Sequence, residues 1–373
     1  MDTILSCCGA PHGAGGISQH FGQLVSEARD AGTLARYYAT QPQPGDAAGR
    51  RVSISGWRWV WRYTPVRWSP GWTNHLRGEL FDRKVAARLR RGADAGTAGD
   101  ARLVAFAGQA LRSFREARGT HRLELVVPNS HVDNLKRLHE QAYRRTGIRD
   151  TWLNEAQRRK TLEEYDRADV IHVHSEYVRK TFLREGVPAA KLRRTRLRPA
   201  ERFRPPAERP DDDVFRVVYV GRVDATKGLP LLMEAFSEID DPAELTIVGG
   251  WSTRAMRRYM QRRLERDARI RMAPGDPLPH LHRADVFVHP TFQDGFGYAP
   301  AEALACGVPV IVTEDTGMKE HVREGENGFV VPTGRLGALI ERLEHLRAHP
   351  MTRTRHAEPM LPTASRESIP FAP

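Results

Sequence analysis

Cysteine is scarce: the chain has three in 373 residues, with Cys7 and Cys8 adjacent and Cys306 alone. That leaves no even, spaced set of half-cystines, so disulfides are not expected and a reducing compartment is the simpler reading. Long apolar runs are missing too. The longest candidate, Ala303 to Val312, is broken by Gly307 and Pro309 and falls short of the about 18 apolar residues that cross a bilayer. At the start, Ile4, Leu5 and the two cysteines give way to Gly9, Pro11 and His12, a pattern that matches no secretory leader. A soluble, cytoplasmic protein is expected, with peripheral attachment to the inner face of a membrane left open.

Acidic residues are outnumbered, 46 against 58 basic ones, for a net charge of +12. Such a chain is drawn to polyanions: nucleic acid, anionic lipid heads or phosphorylated metabolites. Charge alone does not choose among them. The 373 residues, 40% of them hydrophobic, can fill two packed cores, which excludes a mini-protein and a mostly disordered chain.

Short apolar runs alternate with helical patterns. Thr3 to Cys8 precedes a glycine-rich turn and then Ile17, Phe21, Leu24, Val25 and Ala28, the spacing of one helical face. The alternation recurs at Leu103 to Phe106, Leu123 to Val127 and Val170 to Val173, the last followed by a helical stretch from Glu176 to Glu185. Strands separated by helices predict a parallel sheet covered on both faces. Between about Leu197 and Asp213 the pattern stops in a run rich in Pro, Arg and Asp, the best domain boundary. It restarts with Phe215 to Val220, a helix near Pro230 to Ile239, Leu245 to Val248, a helix over Thr253 to Asp267, Val286 to His289, a helix from Pro300, and Val308 to Val312. The division expected is therefore an N-terminal domain over 1–198, a linker over 199–213, a second domain over 214–349 and an irregular tail over 350–373.

Two segments could carry chemistry. Strand Phe215 to Val220 runs into GRVDATKG, Gly221 to Gly228, ahead of a helix with Pro230 in its first turn. Glycines admit an anion to the backbone, the helix N-terminus offers free N–H groups, and Arg222 and Lys227 add two cations. That combination suits a diphosphate, whereas a single Arg or Lys in a loop is usually only a solvated charge. The second segment is DGFGYAPAEALACGVPV, in which Asp294 and Glu302 bracket a loop containing Gly295 and Gly297. A carboxylate accepts two hydrogen bonds from a vicinal diol, so the pair suits sugar hydroxyls. Capping of its own helix is the alternative fate of Glu302.

Together GRVDATKG and HPTFQDGFGYAPAEALACGVPVIVTEDTGMKE resemble the donor half of retaining GT-B glycosyltransferases of family 4, glycosyl transferases group 1. The hallmark of that family is two acidic residues with seven between them, here Asp294 and Glu302. ADVIHVHSEYVRKTFLREGV and the first glycine loop, GAGGISQ, extend the resemblance to roughly residues 3–345. It implies an α/β GT-B fold, two Rossmann-like domains whose parallel sheets face a cleft between them. The activity implied is transfer of a sugar from a nucleotide-diphosphate sugar to an acceptor hydroxyl with retention of configuration. The acceptor would be a glycan, a lipid-linked molecule or a small molecule. No cofactor and no protein-bound metal are implied.

Residue by residue, the resemblance places the donor diphosphate on Gly221, Arg222, Lys227 and Gly228, with the two cations stabilising charge as the sugar C–O bond breaks. Glu302 would hold the ribose, while Asp294, Gly295, Phe296 and Gly297 would hold the sugar. The family usually has Glu where this chain has Asp294. Gly15 and Gly16 would bring amides to the acceptor or phosphate, and His131 would stand near the reacting centre, unless it is merely a polar loop residue. Arg222, Lys227, Asp294 and His131 are thus the catalytic candidates.

Other features stand outside that pattern. His172 and His174 alternate along a strand, but no third metal ligand is placed beside them, and structural histidines are expected. Asp211 to Asp213 lie in the linker and are discounted as a metal motif. Five of the seven tryptophans fall between Trp57 and Trp72, interleaved with arginines. Trp57, Trp59 and Trp61 are a candidate acceptor platform or membrane-docking loop, against the alternative of a strand and loop with buried indoles. The arginine-rich stretch Arg254 to Arg269 reads as a solvated, anion-attracting face. The competing functions are an inactive GT-B scaffold that binds anionic partners and a GT-B phosphorylase or epimerase. No specific nucleic acid is expected.

Overall fold

A computed structural model of the protein describes residues 1–13, 15–54, 59, 62–64, 66, 69–91, 101–148 and 152–349. Trp57, Trp61 and the expected tail over 350–373 lie outside the described residues. Among the described residues the chain forms two compact units, one from Met1–Asn134 with the residues up to Leu197 that follow position 151, the other from Leu135 to Ile148 with Arg198 to His349.

The first unit is a parallel sheet of seven strands, β1 (Asp2–Cys7), β2 (Leu34–Ala39), β3 (Gly49–Arg51), β4 (Ala101–Phe106), β5 (His121–Val126), β6 (Val170–Val173) and β7 (Leu192–Arg194), in the order β3-β2-β1-β4-β5-β6-β7. Among the described residues its helices include α1 (Gly16–Asp30), α2 (Pro70–Arg90), α3 (Leu111–Ala117), α4 (Val132–Thr146), α5 (Glu155–Arg167) and α6 (Glu176–Arg184), of which α4 passes into the second unit. Leu5, Cys7, Val104, Phe106 and Val126 pack against Phe21, Leu24 and Val25 of α1, so the apolar stripe legible in α1 is its sheet-facing side.

Local chemistry sets the helix starts. Ser69, Asn154 and Ser175 each accept a backbone N–H in the first turn of α2, α5 and α6. The N-cap of α3 is Ala110, which has no side-chain acceptor, and two buried carboxylates from other helices take its place. Glu164 accepts from Ala110 N at 2.8 Å and Leu111 N at 3.0 Å, and Asp82 from Arg112 N at 2.8 Å and Ser113 N at 2.9 Å. The Lys160 ammonium, 3.3 Å from Asp82, offsets their charge.

The second unit is a six-stranded parallel sheet of β8 (Phe215–Val220), β9 (Ala243–Val248), β10 (Ile270–Met272), β11 (Val286–His289), β12 (Val310–Thr313) and β13 (Gly328–Val331), in the order β10-β9-β8-β11-β12-β13. Helices α7 (Leu229–Phe236), α8 (Arg254–Leu264), α9 (Leu278–Leu281), α10 (Tyr298–Ala305) and α11 (Leu336–Ala348) accompany it. Strands β6, β8 and β11 have the bounds expected from their apolar runs. Helix α10 begins two residues before Pro300, because Gly297 at φ 94° supplies the turn. From sequence alone Leu135–Asp150 falls in the first half, yet Ala142 and Tyr143 of α4 join the core of the second, with Phe215, Leu232 and Leu343. A domain boundary inside a helix carries no local signal.

Candidate functional site

In an open parallel sheet, ligands bind beyond the carboxyl ends of the strands, where the strand order reverses. In the second unit that point lies between β8 and β11, which pair through Val217 with Val286 and Val218 with Phe287. The order alone therefore brings together the Gly221–Gly228 loop after β8 and the Pro290–Gly297 loop after β11, the two segments singled out from sequence.

The loops are hydrogen-bonded to each other. Phe292 N donates to Thr226 O at 2.8 Å and Thr291 Oγ1 to the same oxygen at 3.2 Å. Gly228 adopts φ 71°, and a Cβ there would lie 1.9 Å from Pro290 O, so this position admits glycine alone. Asp294 is anchored through its backbone to the Asp315–Gly317 turn by Asp294 N to Asp315 O and Gly317 N to Asp294 O, both 3.1 Å.

Three side chains converge at the junction. Asp294 Oδ2 accepts from Lys227 Nζ at 2.6 Å and from His289 Nε2 at 3.1 Å. Burial pushes the Asp294 carboxyl up, but the charge of Lys227 and the bond from His289 more than reverse this and hold it well below the usual carboxylate range. Burial lowers His289, and Asp294 only partly restores it. The loop has its own organiser in Asp224, 1% exposed, whose Oδ1 accepts from Thr226 Oγ1 at 2.7 Å and Lys227 N at 2.8 Å while Arg222 Nε bonds its Oδ2. Burial raises Asp224, and Arg222, Thr226 and Lys227 bring it below its ordinary value. His139 of α4 is buried and feels the charges of Asp224, Lys227 and Arg222; burial drops it to about 3, so the ring is neutral.

Of the residues expected at a donor site, Gly221, Arg222, Lys227, Gly228, Asp294, Gly295, Phe296 and Gly297 all lie on these two loops. Phe296 is buried against Tyr298 and His321 rather than open. Glu302 follows on α10 at 5% exposure. The N-cap of that helix is Gly297, which caps it without a side chain.

The other candidates belong to the first unit. Gly15 is the N-cap of α1 at φ 103° and Gly16 its first residue, both exposed at the end of the helix. His131 is a packed core residue at 3% exposure: its ring meets Tyr165 and Phe182 at 5.1 Å, edgewise in the case of Phe182, and its Nδ1 accepts from Asp133 N at 3.3 Å. His131 lies outside helix and strand, directly before α4, and burial lowers its basicity. Ligand atoms of His131, Asp133 and Glu185 lie within 4.8 Å of one another, but Arg158, bonded to Asp133, already supplies a cation there. His172 Nε2 meets Glu124 Oε2 at 2.7 Å and His174 Nδ1 meets Thr195 Oγ1 at 2.7 Å, so both are engaged structurally. Asp212 is paired with Arg216 at 2.6 Å. Trp59 is 64% exposed and Trp72, on α2, 46%, so neither indole is buried.

Sequence reasoning missed Asp224, His139 and His289. Asp224 had a signal, since an Asp three residues before Lys227 can take that N–H in an Asx-type turn. His289 ends an apolar strand, where a polar side chain is unexpected. His139 had none, being brought in by α4 from 85 residues upstream of Asp224.

Residues 201–358 match the family of glycosyl transferases group 1. Over 141 residues the chain is 33% identical to the capsular polysaccharide biosynthesis glycosyltransferase CapM of Staphylococcus aureus, covering 36% of this chain and 37% of that protein. Over 193 residues it is 33% identical to a D-inositol 3-phosphate glycosyltransferase of Rhodococcus opacus, covering 46% and 43%. The matched stretches thus span less than half the length of these relatives. Among solved structures, sucrose-phosphate synthase from Thermosynechococcus elongatus superposes with a TM-score of 0.71 at 19% identity, covering 96% of this chain and 92% of that one.

The fold is GT-B. WaaG, a glycosyltransferase involved in lipopolysaccharide biosynthesis, agrees at a TM-score of 0.69 and 15% identity over 95% of this chain and 93% of its own. Anabaena HepE, solved in complex with UDP, agrees at 0.65 and 13% over 96% and 93%. The GT-B fold match covers both units, and the family match spans residues 201–358. Among the described residues no helix is long and apolar enough to cross a membrane.

Proposed function

We propose that the protein is a cytoplasmic glycosyltransferase that moves a sugar from a nucleotide-diphosphate sugar to an acceptor hydroxyl with retention of configuration. The observation that carries this reading is the Lys227–Asp294 contact at the β8/β11 switch point, 2.6 Å between cation and carboxylate. It sets a phosphate-binding charge beside a hydroxyl-binding one. The family match over residues 201–358 and the capsular, inositol and lipopolysaccharide glycosyltransferases it resembles support the same class.

In this reading the diphosphate lies on the Gly221–Gly228 loop against the N-terminus of α7. As the C–O bond to the sugar lengthens, negative charge grows on the diphosphate, and Lys227 and Arg222 stabilise it more in the transition state than in the ground state. Asp294 and Glu302 take sugar and ribose hydroxyls. Among the described residues no side chain of the two loops is proposed as a covalent nucleophile, and in this reading the departing phosphate oxygen takes the acceptor proton on the face it leaves. The cations and helix dipole make a protein-bound metal unnecessary. The acceptor is a glycan, lipid-linked or small-molecule hydroxyl compound.

The test is a thermal-shift screen of nucleoside diphosphates, followed by turnover of the matching labelled nucleotide sugar and assignment of the product anomer. Stabilisation by one base and a product of unchanged configuration are expected. Salt-sensitive binding of polyanions with no donor turnover would favour an inactive scaffold instead.

A further inference from the structure

We propose that His289 is the positioning residue of the donor site: its Nε2–H holds Oδ2 of Asp294 in place so that Oδ1 is the oxygen presented to a sugar hydroxyl. This role deepens the glycosyltransferase reading and rests on it.

Both hydrogen bonds to the Asp294 carboxylate, from Lys227 Nζ and His289 Nε2, end on Oδ2. Oδ1 takes part in neither, and the Asp294 side chain keeps 21% of its surface open. The two donors differ in kind. Lys227 sits on a four-carbon stem, 23% exposed, with three N–H bonds to share. His289 is 4% exposed in its side chain, closes strand β11 and stacks on Phe287 at an interplanar angle of 25°. When Lys227 turns toward a phosphate oxygen, the rigid histidine keeps Oδ2 bonded, and the carboxylate does not swing after the cation.

The contact also defines the state of the ring. An ionised carboxylate has no proton to give, so Nε2 carries the hydrogen. Nδ1 is buried and has no hydrogen-bond partner. A second proton there would leave a buried N–H unsatisfied beside the Lys227 charge, which favours the neutral Nε2–H form. The charged groups facing the ring are Asp294 and Lys227.

The experiment pairs two variants with a measurement on the unmodified protein. His289→Gln places an amide N–H near the position of Nε2, and His289→Leu fills the same buried space without a donor. Expected are a loss of about tenfold to a hundredfold in nucleotide-sugar affinity for His289→Leu, substantial recovery in His289→Gln, and little change for either with the nucleoside diphosphate lacking the sugar. A purely structural role would make the buried Leu at least as good as Gln, and equal nucleotide-sugar affinities would overturn the proposal. Nitrogen-15 NMR of the full chain at pH 8 should show His289 as the neutral Nε2–H tautomer; an Nδ1–H tautomer also overturns the proposal. If the unmodified protein bound no nucleotide at all, the functional reading and the substrate role of His289 would both fail, while the tautomer would still report the contact itself.

Discussion

Lys227 Nζ lies 2.6 Å from Asp294 Oδ2 across two loops that are 67 residues apart in sequence. Neither charge is fully solvated, at 23% and 21% side-chain exposure, so each is the main compensation for the other. Lys227→Ala therefore removes the proposed phosphate contact and strands a carboxylate. Charge-assisted bonds of this kind contribute about 1.5–3 kcal/mol, which corresponds to a loss of roughly tenfold to a hundredfold in nucleoside diphosphate affinity by calorimetry. A double-mutant cycle with Asp294→Asn should be strongly non-additive in stability. Additivity within about 0.3 kcal/mol would show that the pair is not coupled.

Gly228 is the steric hinge of the same site. At its φ of 71°, a side-chain Cβ would stand 1.9 Å from Pro290 O, which leaves no room for alanine. Gly228→Ala should cost at least about 1–3 kcal/mol in urea unfolding and abolish the nucleotide-induced thermal shift. Gly15 has a positive φ of 103° with ψ 153° but nothing within 4 Å of a Cβ, so Gly15→Ala should cost about 1–3 kcal/mol from backbone strain alone.

The first unit should be acid-sensitive through buried histidines. Burial holds His20 well below 6.5 and His174 at about 3, and the two rings meet edgewise at 4.4 Å. A base whose folded pKa is depressed binds more protons when unfolded, so its contribution is whole above pH 6.5 and falls as pH drops from 6.5 toward 3. For His174 this costs up to about 1.4 kcal/mol of stability per pH unit in that window. Denaturation curves at pH 7 and pH 4.5 should differ more for the unmodified protein than for His174→Gln.

Much of this was legible in the order of the amino acids. Buried parallel strands carry continuous apolar runs, so β6, β8 and β11 could be bounded to the residue, and glycine-rich turns after β8 and before α10 marked the candidate donor site. What escaped had physical reasons. Strand β10 has three residues with Arg271 at its middle, and β13 opens on Gly328, so neither stands out from its surroundings. Helix α2, of twenty-one residues, begins among the tryptophans and arginines and has no sharp apolar stripe. His131 is buried despite its polarity, with the Tyr165 and Phe182 rings at 5.1 Å. The contribution of His139 depends on a contact 85 residues away along the chain, which no local spacing encodes.

The most direct test of the donor site is a crystal of the protein soaked with the nucleoside diphosphate sugar that stabilises it. The diphosphate is expected on the Gly221–Gly228 loop within hydrogen-bond reach of Lys227, with a sugar hydroxyl on Asp294 Oδ1. Diphosphate density away from that loop, or an Asp294 side chain turned from the bound sugar, would contradict the assignment.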